Sequence, residues 1–271
     1  MSKTILITGA SSGIGKATAK RFQREGWNVV ATMRSPDKES DLRELDNVLL
    51  TRLDVLDTAS IEAAVEAGIS KFGRIDVLLN NAGYGAYGVL EATSADKIRR
   101  QFDTNVLGLL EVSKAVIPHF RENKQGMIIN VSSMGGKITL PLGTLYHGTK
   151  FAVEGLSEAL SYEMASIGVR VKLVEPGGVK TDFGGRSFDF TNDESLAEYQ
   201  PLVGKVMAAF GPLMANSIEA DVVADTIHRA ATDESAQLRY VVGDDAKKLI
   251  EMRKTMDDTA YRANVAALFK L

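Results

Sequence analysis

Along the chain, short uninterrupted apolar runs rich in β-branched residues alternate with longer stretches in which apolar positions recur three and four residues apart. The runs Thr4–Thr8, Asn28–Thr32, Val48–Arg52, Val77–Asn80, Met127–Val131, Arg170–Val174 and Tyr240–Val242 read as strands. The stretches Gly13–Glu25, Ala59–Lys71, Ala95–Phe120, Thr144–Ile167 and Ile218–Ala231 read as helices. Apolar runs without polar alternation suit strands covered on both faces, as in a parallel sheet flanked by helices. Signals that alternate over the whole length predict one α/β domain, a Rossmann-type doubly wound parallel sheet of about seven strands with helices on both faces. Ligands of such sheets sit beyond the carboxyl ends of the strands, where strand order reverses. The segments just after each strand are therefore the places to look for function.

Composition narrows the classes further. A chain of 271 residues with 45% apolar and 25% charged residues is long enough to bury a core without staples. Cysteine is absent, which excludes disulfides and thiolate metal sites. His119, His147 and His228 lie far apart in sequence and form no metal-ligand pair, so no metal is expected. A net charge of −3 gives no electrostatic reason to expect nucleic acid or an anionic membrane as partner. The opening Met1–Gly9 run is too short for a signal sequence, and no stretch approaches about 18 uninterrupted apolar residues, so no membrane span is expected. A cytoplasmic location is the expectation.

The first strand runs into Thr8-Gly9-Ala10-Ser11-Ser12-Gly13-Ile14-Gly15 and then a helical pattern. A sharp strand-to-helix turn needs residues without a Cβ, and a pyrophosphate approaches the backbone only where side chains are missing. The free amides and positive end of the new helix then favour the anion. The spacing is G-x-x-x-G-x-G rather than G-x-G-x-x-G, and on its own it also fits a plain glycine-rich connection. After the second strand, where NAD sites place a carboxylate for the ribose 2′-hydroxyl, stand Met33 and Arg34. A guanidinium binds a 2′-phosphate through charge-assisted hydrogen bonds, which favours NADP(H) over NAD(H) and leaves NAD(H) possible. A solvated arginine at a strand end is the bland alternative.

Tyr146 and Lys150 are four apart on a helical pattern, which puts them on one face. An ammonium beside a phenol favours the phenolate, so the tyrosine pKa is expected below its usual value of about 10. Such pairs are common on helix surfaces when isolated. Here Ser132 and Ser133 end a strand, and Asn80-Asn81-Ala82-Gly83 follows another. Pro176-Gly177 follows a third, and Asn105 lies inside a helical pattern. The strand-end turns among these fall on the ligand edge of the predicted sheet.

With these motifs in this order the chain resembles the short-chain dehydrogenase/reductase family, in its single-domain Tyr-x-x-x-Lys branch of carbonyl-reductase and hydroxysteroid-dehydrogenase-like members. The resemblance runs from residue 3 to about 182 and less distinctly to about 243. It implies that Tyr146 is the acid/base, that Lys150 holds the nicotinamide-ribose hydroxyls and lowers the tyrosine pKa, and that Ser133 hydrogen-bonds the substrate carbonyl oxygen. Asn105 would hold a helix irregularity and a proton-relaying water. Gly9, Gly13 and Gly15 would form the pyrophosphate turn, lined by Ser11, Ser12 and Ile14. Asp54 and Val55 would contact the adenine, and Asn81 and Ala82, followed by Gly83, would pack beside the adenosine ribose. Pro176, Gly177, Val179 and Thr181 would border the nicotinamide amide. Gly148 departs from the family, which has serine or alanine two residues after the tyrosine. Ser12 departs from the NADP-preferring members with a basic residue there.

The implied reaction is NADPH-dependent reduction of a ketone or aldehyde. The same fold also runs as an NAD(P)+-dependent secondary-alcohol dehydrogenase, and a non-catalytic nucleotide-sensing protein is the remote alternative. Segment 182–215 holds Phe183, Phe188, Phe190, Tyr199, Leu202, Met207, Phe210, Leu213 and Met214 with Gly184, Gly185, Gly204 and Gly211. By family analogy it is a lid over a hydrophobic substrate, its wall extended by Tyr84, Tyr87, Met134, Leu140, Leu142 and His147. The same residues would also serve as core or subunit contact. The amphipathic C-terminal tail, 245–271, is expected to be helical and to cap the lid or pack on a partner. By the same analogy a homodimer or homotetramer is expected, joined through the helices bearing Asn105 and Tyr146.

Overall fold

The computed structural model describes residues 2–181, 187–214 and 217–271. In chain order the elements begin β1 (Thr4–Ile7), α1 (Gly13–Arg24), β2 (Asn28–Met33), β3 (Val48–Arg52), α2 (Thr58–Phe72), β4 (Val77–Asn80), β5 (Gly85–Gly88) and α3 (Ala95–Phe102). A π-helical turn, Asp103–Leu107, leads into α4 (Gly108–Asn123), β6 (Gly126–Val131), α5 (Thr144–Ala165), β7 (Val169–Pro176), β8 (Val179–Lys180) and β9 (Phe188–Thr191). Then follow α6 (Gln200–Met214), β10 (Ile218–Glu219), α7 (Ala220–Thr232), β11 (Arg239–Val242), α8 (Asp244–Thr255) and α9 (Asp258–Leu268).

Seven strands form one parallel sheet in the order β11-β7-β6-β4-β1-β2-β3. Strand order reverses at β1, which pairs with β2 on one side and β4 on the other. The chain crosses from one half of the sheet to the other there, so the loops leaving β1 and β4 diverge and open a crevice. Every residue of β1, β4 and β6 is buried, as continuous apolar runs require of strands covered on both faces. One core lies under α1 and α7, with Phe22 packed edge-on to Trp27 and His228. The other face is covered by α2, α4 and α5 around Leu6, Ile128 and Phe120. Replacing a fully buried phenylalanine such as Phe22 with alanine costs about 3–5 kcal/mol.

Local sequence explains the helix ends. Asp57 caps α2 by accepting from the Ser60 amide, and Gly73 ends it in the left-handed conformation. Ser94 and Asp257 cap α3 and α9 in the same way. The continuous helix expected over Ala95–Phe120 is instead divided by the π turn, whose buried Asn105 bonds to a neighbouring loop, and it runs on to Asn123. The helix expected from Ile218 starts at Ala220, because Ile218 and Glu219 pair with β8. Helix α6 and the parallel pair β5–β9 have no counterpart in the hydrophobic pattern.

Candidate active site

The glycine turn between β1 and α1 is built so that only glycine fits. Gly9 and Gly13 have φ of 71° and 52°, and a Cβ on Gly15 would stand 2.3 Å from the Gly9 carbonyl oxygen. A Cβ on Gly9 would stand 3.0 Å from Ala82 Cα, and one on Gly13 would stand 3.2 Å from the Thr181 side chain. Ser12 is the N-cap of α1 but makes no side-chain capping bond, and the first turn holds no acidic residue. The first amides of α1 therefore remain available to an anion. Ser11 is exposed, while the Ile14 side chain packs on the core and contributes its backbone to the turn.

Asn81 fixes this turn from the β4 side. Its Nδ2 donates to Thr8 O at 2.9 Å and to Gly9 O at 3.2 Å. The Asn81 and Ala82 amides both donate to Thr8 Oγ1 at 3.0 Å. After β2, Met33 is buried and Arg34 is exposed, with no hydrogen bond or ion pair among the described residues. Lys16 is engaged with Glu39 and Asp41 at 3.0 and 2.9 Å, whereas Arg34 is unpaired among the described residues. Asp54 holds the Leu56 amide, and Val55 packs on Gly108 at the start of α4.

On the other side of the crevice, Ser133 follows β6 and Tyr146 and Lys150 lie on α5. Ser133 Oγ accepts from the Gly135 amide at 3.0 Å and is near enough to the Tyr146 phenol to favour its ionised form. Lys150 Nζ donates to Val131 O at 2.9 Å and lies 5.8 Å from the centre of the Tyr146 ring. Asn105 Nδ2 donates to Tyr84 O at 2.8 Å and to Thr149 Oγ1 at 3.2 Å, while its Oδ1 accepts from the Tyr84 amide at 3.1 Å. Gly83 lies against it, and a Cβ there would stand a tight 3.1 Å from Asn105 Oδ1. The structure thus brings Asn105, Ser133, Tyr146 and Lys150 together at the ends of β4 and β6.

One expectation is corrected. The Tyr146 phenol is pushed up to about 12, because burial disfavours the phenolate and the nearby Ser133 hydroxyl offsets only part of that. Burial also brings Lys150 down to about 8, with Glu154 opposing the fall. Both partners are buried, and desolvation is the largest cause of each shift. Tyr146 therefore holds its proton at neutral pH.

Pro176 ends β7, Val179 is buried in β8 and Thr181 touches Gly13. The turn between them has a support that the sequence did not disclose. Asp245, in the first turn of α8, accepts from the Gly178 amide at 2.7 Å and fills the space a Cβ on Gly177 would need. An aspartate 67 positions away leaves no local pattern to read. Gln101 was missed for the same reason. Fully buried, it accepts from the Ala86 amide and donates to Tyr84 O, which fixes β5 beside Asn105.

Of segment 182–215, residues 182–186 and 215 lie outside the described residues, Phe183, Gly184 and Gly185 among them. The described part brings Phe188 within 5.3 Å of Tyr87, ring centre to ring centre, and Tyr87 within 5.3 Å of Tyr146. Phe210 lies 5.7 Å from Phe188, and Phe190 stacks on Phe188 at 6.1 Å. Lys97 ties β9 down through Asp189 at 2.7 Å and Thr191 at 3.0 Å. Tyr84 turns aside to lie under the Arg100 guanidinium. Met134, Leu140, Leu142 and Leu202 pack with Val206 against Ile250, Tyr261, Val265 and Phe269 of the tail. His147 accepts from the Leu140 amide at 2.9 Å and contacts Gly135 O at 2.9 Å, which staples that loop to α5.

A parallel Rossmann-type sheet with this glycine turn and this Ser-Tyr-Lys cluster at its carboxyl edge defines a dinucleotide-dependent oxidoreductase. The chain belongs to the short-chain dehydrogenase family, whose model matches residues 3–192. It is 48% identical over 231 residues to an uncharacterized oxidoreductase of Schizosaccharomyces pombe, covering 85% of this chain and 97% of that protein. It is 43% identical to a 3-ketodihydrosphingosine reductase of Bacteroides thetaiotaomicron, over 66% of this chain and 65% of the relative. Among solved structures it is similar to a short-chain dehydrogenase from Streptomyces avermitilis, with a TM-score of 0.85 and 31% identity, over 99% of this chain and 96% of that one. No helix among the described residues is long and apolar enough to cross a membrane, and no described cluster of His, Asp and Glu could hold a metal ion.

Proposed function

We propose that the protein is an NADPH-dependent reductase of ketones or aldehydes carried on hydrophobic substrates. The observation that carries the reading is the gathering of Ser133 and Lys150 beside the buried Tyr146 phenol, in the crevice that begins at Gly9. The glycine turn fits a pyrophosphate, since its backbone is bare and the first amides of α1 are uncapped. Gly9, Gly13 and Gly15 would hold the pyrophosphate with Ser11, Ser12 and the Ile14 backbone. Arg34 would bind a 2′-phosphate, Asp54 and Val55 would border the adenine, and Asn81, Ala82 and Gly83 the ribose. Pro176, Gly177, Val179 and Thr181 would frame the nicotinamide. When bound, NADPH supplies the hydride that reduces the carbonyl carbon.

The side chains do the rest. Ser133 and Tyr146 donate hydrogen bonds to the carbonyl oxygen as negative charge grows on it, which is worth several kcal/mol where water is excluded. Tyr146, protonated at neutral pH, gives its proton to that oxygen. Lys150, anchored on Val131 O, holds ammonium charge beside the phenol and stabilises the phenolate left behind. Asn105 holds the π turn against the Tyr84 loop and α5, and so fixes the floor of the site.

In this single domain the described residues of segment 182–215, 187–214, act as the lid. Phe188 and Phe210 reach Tyr146 through Tyr87 and make its inner surface aromatic, which suits an apolar substrate. The tail 245–271 backs the lid by packing on Leu202 and Val206. Exposed Phe102, Leu107 and Phe151 on α3, the π turn and α5 suit a subunit contact in a homo-oligomer. Similarity to a 3-ketodihydrosphingosine reductase supports a long-chain apolar ketone. The test is NADPH consumption against hydrophobic ketones and aldehydes of graded length. Turnover that rises with apolar length and is faster with NADPH than NADH fits the proposal. No carbonyl substrate in such a panel, with NADPH bound, would overturn it.

A further inference from the structure

Tyr146, Lys150 and Glu154 follow one another at steps of four along α5, so they form a row on one helix face. Glu154 is 4% exposed and meets a second carboxyl, Glu175 of β7, which is 1% exposed. Arg239 Nε of β11 donates to Glu154 Oε2 at 2.8 Å and lies 3.4 Å from Glu175 Oε1, and its other arm binds Glu158. Lys137, in the loop after β6, stands 3.9 Å from Glu154. The charged groups facing the two carboxyls are thus Lys137, Lys150, Glu158 and Arg239.

Among the described residues Glu154 Oε1 is buried without a hydrogen-bond partner, and Glu175 Oε1, equally buried, has only the 3.4 Å ion pair with Arg239. Two adjacent carboxylates out of water repel one another, and an orphaned buried oxygen is costly. A single proton between the two carboxyls removes both costs. Burial, together with the neighbouring Glu154, accordingly pushes Glu175 up to about 7. The pair also stands directly behind the site. The position of a Cβ on Gly136 would be 2.8 Å from Glu154 Cγ, 2.8 Å from Ser132 Oγ and 2.9 Å from Lys150 O. Ser132 precedes the proposed catalytic serine, and its buried hydroxyl also has no hydrogen-bond partner among the described residues.

We propose that Glu154 and Glu175 share one proton and that their remaining negative charge acts through Lys150 as a positioning element, keeping the lysine charged beside Tyr146. The part played by Lys150 rests on the function proposed above, whereas the shared proton does not. Glu154 is the anion one turn from Lys150 and opposes the effect of burial on it. Glu175 stores the proton that lets Glu154 lie buried next to a second acid.

Infrared spectroscopy of the ligand-free protein tests the shared proton, through the carbonyl stretch of a buried carboxylic acid. The band is expected at mildly acid pH in the wild type, to titrate near neutrality, and to be absent in both E154Q and E175Q. Each remaining carboxyl would then ionise against Arg239. Absence of the band in the wild type overturns the proposal, and so does its persistence in E154Q. The effect on Lys150 is read from the pH dependence of its acylation by a water-soluble reagent, quantified by mass spectrometry. E154Q should lower the midpoint by roughly one pH unit. E175Q and E154D, which keep an anion at 154, should leave it in place. Equal shifts in E154Q and E175Q, or none in E154Q, would reduce the cluster to a structural tie. Should E154Q fail to fold, the wild-type band and its loss in E175Q still decide the shared proton. Neither measurement needs turnover, so a missing ketone substrate would sink the functional reading alone.

Discussion

The two walls of the crevice are built on different physics. The wall at the end of β1 is backbone against backbone. Gly15 lies against the Gly9 carbonyl, and the Asn81 side-chain amide bonds to Thr8 O and Gly9 O, so hydrogen bonds to the main chain fix its shape. The wall formed by β5, β9 and α6 is ring against ring, from Tyr146 through Tyr87 and Phe188 to Phe210. Hydrogen-bonded backbone has one geometry, which suits a ligand part that never varies. Aromatic packing is non-directional by comparison and tolerates changes of shape, which suits the variable part of a substrate. The first wall should fail abruptly when altered and the second by degrees.

Gly15→Val should show the largest effect. Its side chain would enter the space of the Gly9 carbonyl, so NADPH binding, followed by the cofactor's fluorescence, should be lost and thermal stability should fall. Arg34→Asp comes next. Loss of a charge-assisted hydrogen bond to phosphate, plus the repulsion introduced, should raise the KM for NADPH by roughly 10- to 100-fold with little change for NADH. An unchanged value for NADPH would remove Arg34 from the cofactor site. Phe188→Ala should act on the other wall alone. Losing one partly buried ring should raise the KM for apolar ketones by about tenfold and leave NADPH affinity unaltered. A matching loss of cofactor affinity would mean that the two walls are not separate. Gly148→Ala is the mildest change. A Cβ there meets only Phe102 Cζ, at an ordinary 3.5 Å, so the helix should gain up to about 1 kcal/mol, seen as a higher unfolding temperature.

The contrast also separates what could be read in the sequence from what could not. Buried parallel strands announce themselves as continuous apolar runs, and all seven strands expected lie in the central sheet. The glycine turn was legible because left-handed backbone and close approach both demand glycine. Spacing of four placed Tyr146 and Lys150 on one face of α5. The sign of the Tyr146 shift was not legible, since it depends on burial that the whole fold creates. Nor were the contacts that finish the site. Lys97 and Asp189 are 92 positions apart, Gly178 and Asp245 are 67 apart, and Glu154 meets Arg239 across 85. The short pair β5–β9 is too brief for a period to show, and the glycines and Pro212 of α6 mask a helix that packs through Leu202 and Val206.

The most direct test of the central claim is a single-turnover measurement on Tyr146→Phe with saturating NADPH and an accepted ketone. The phenyl ring keeps the contact with Tyr87 and removes only the hydroxyl. The account predicts NADPH affinity close to wild type and a rate of NADPH oxidation lower by about 10²- to 10⁴-fold. A rate near that of the wild type would contradict it.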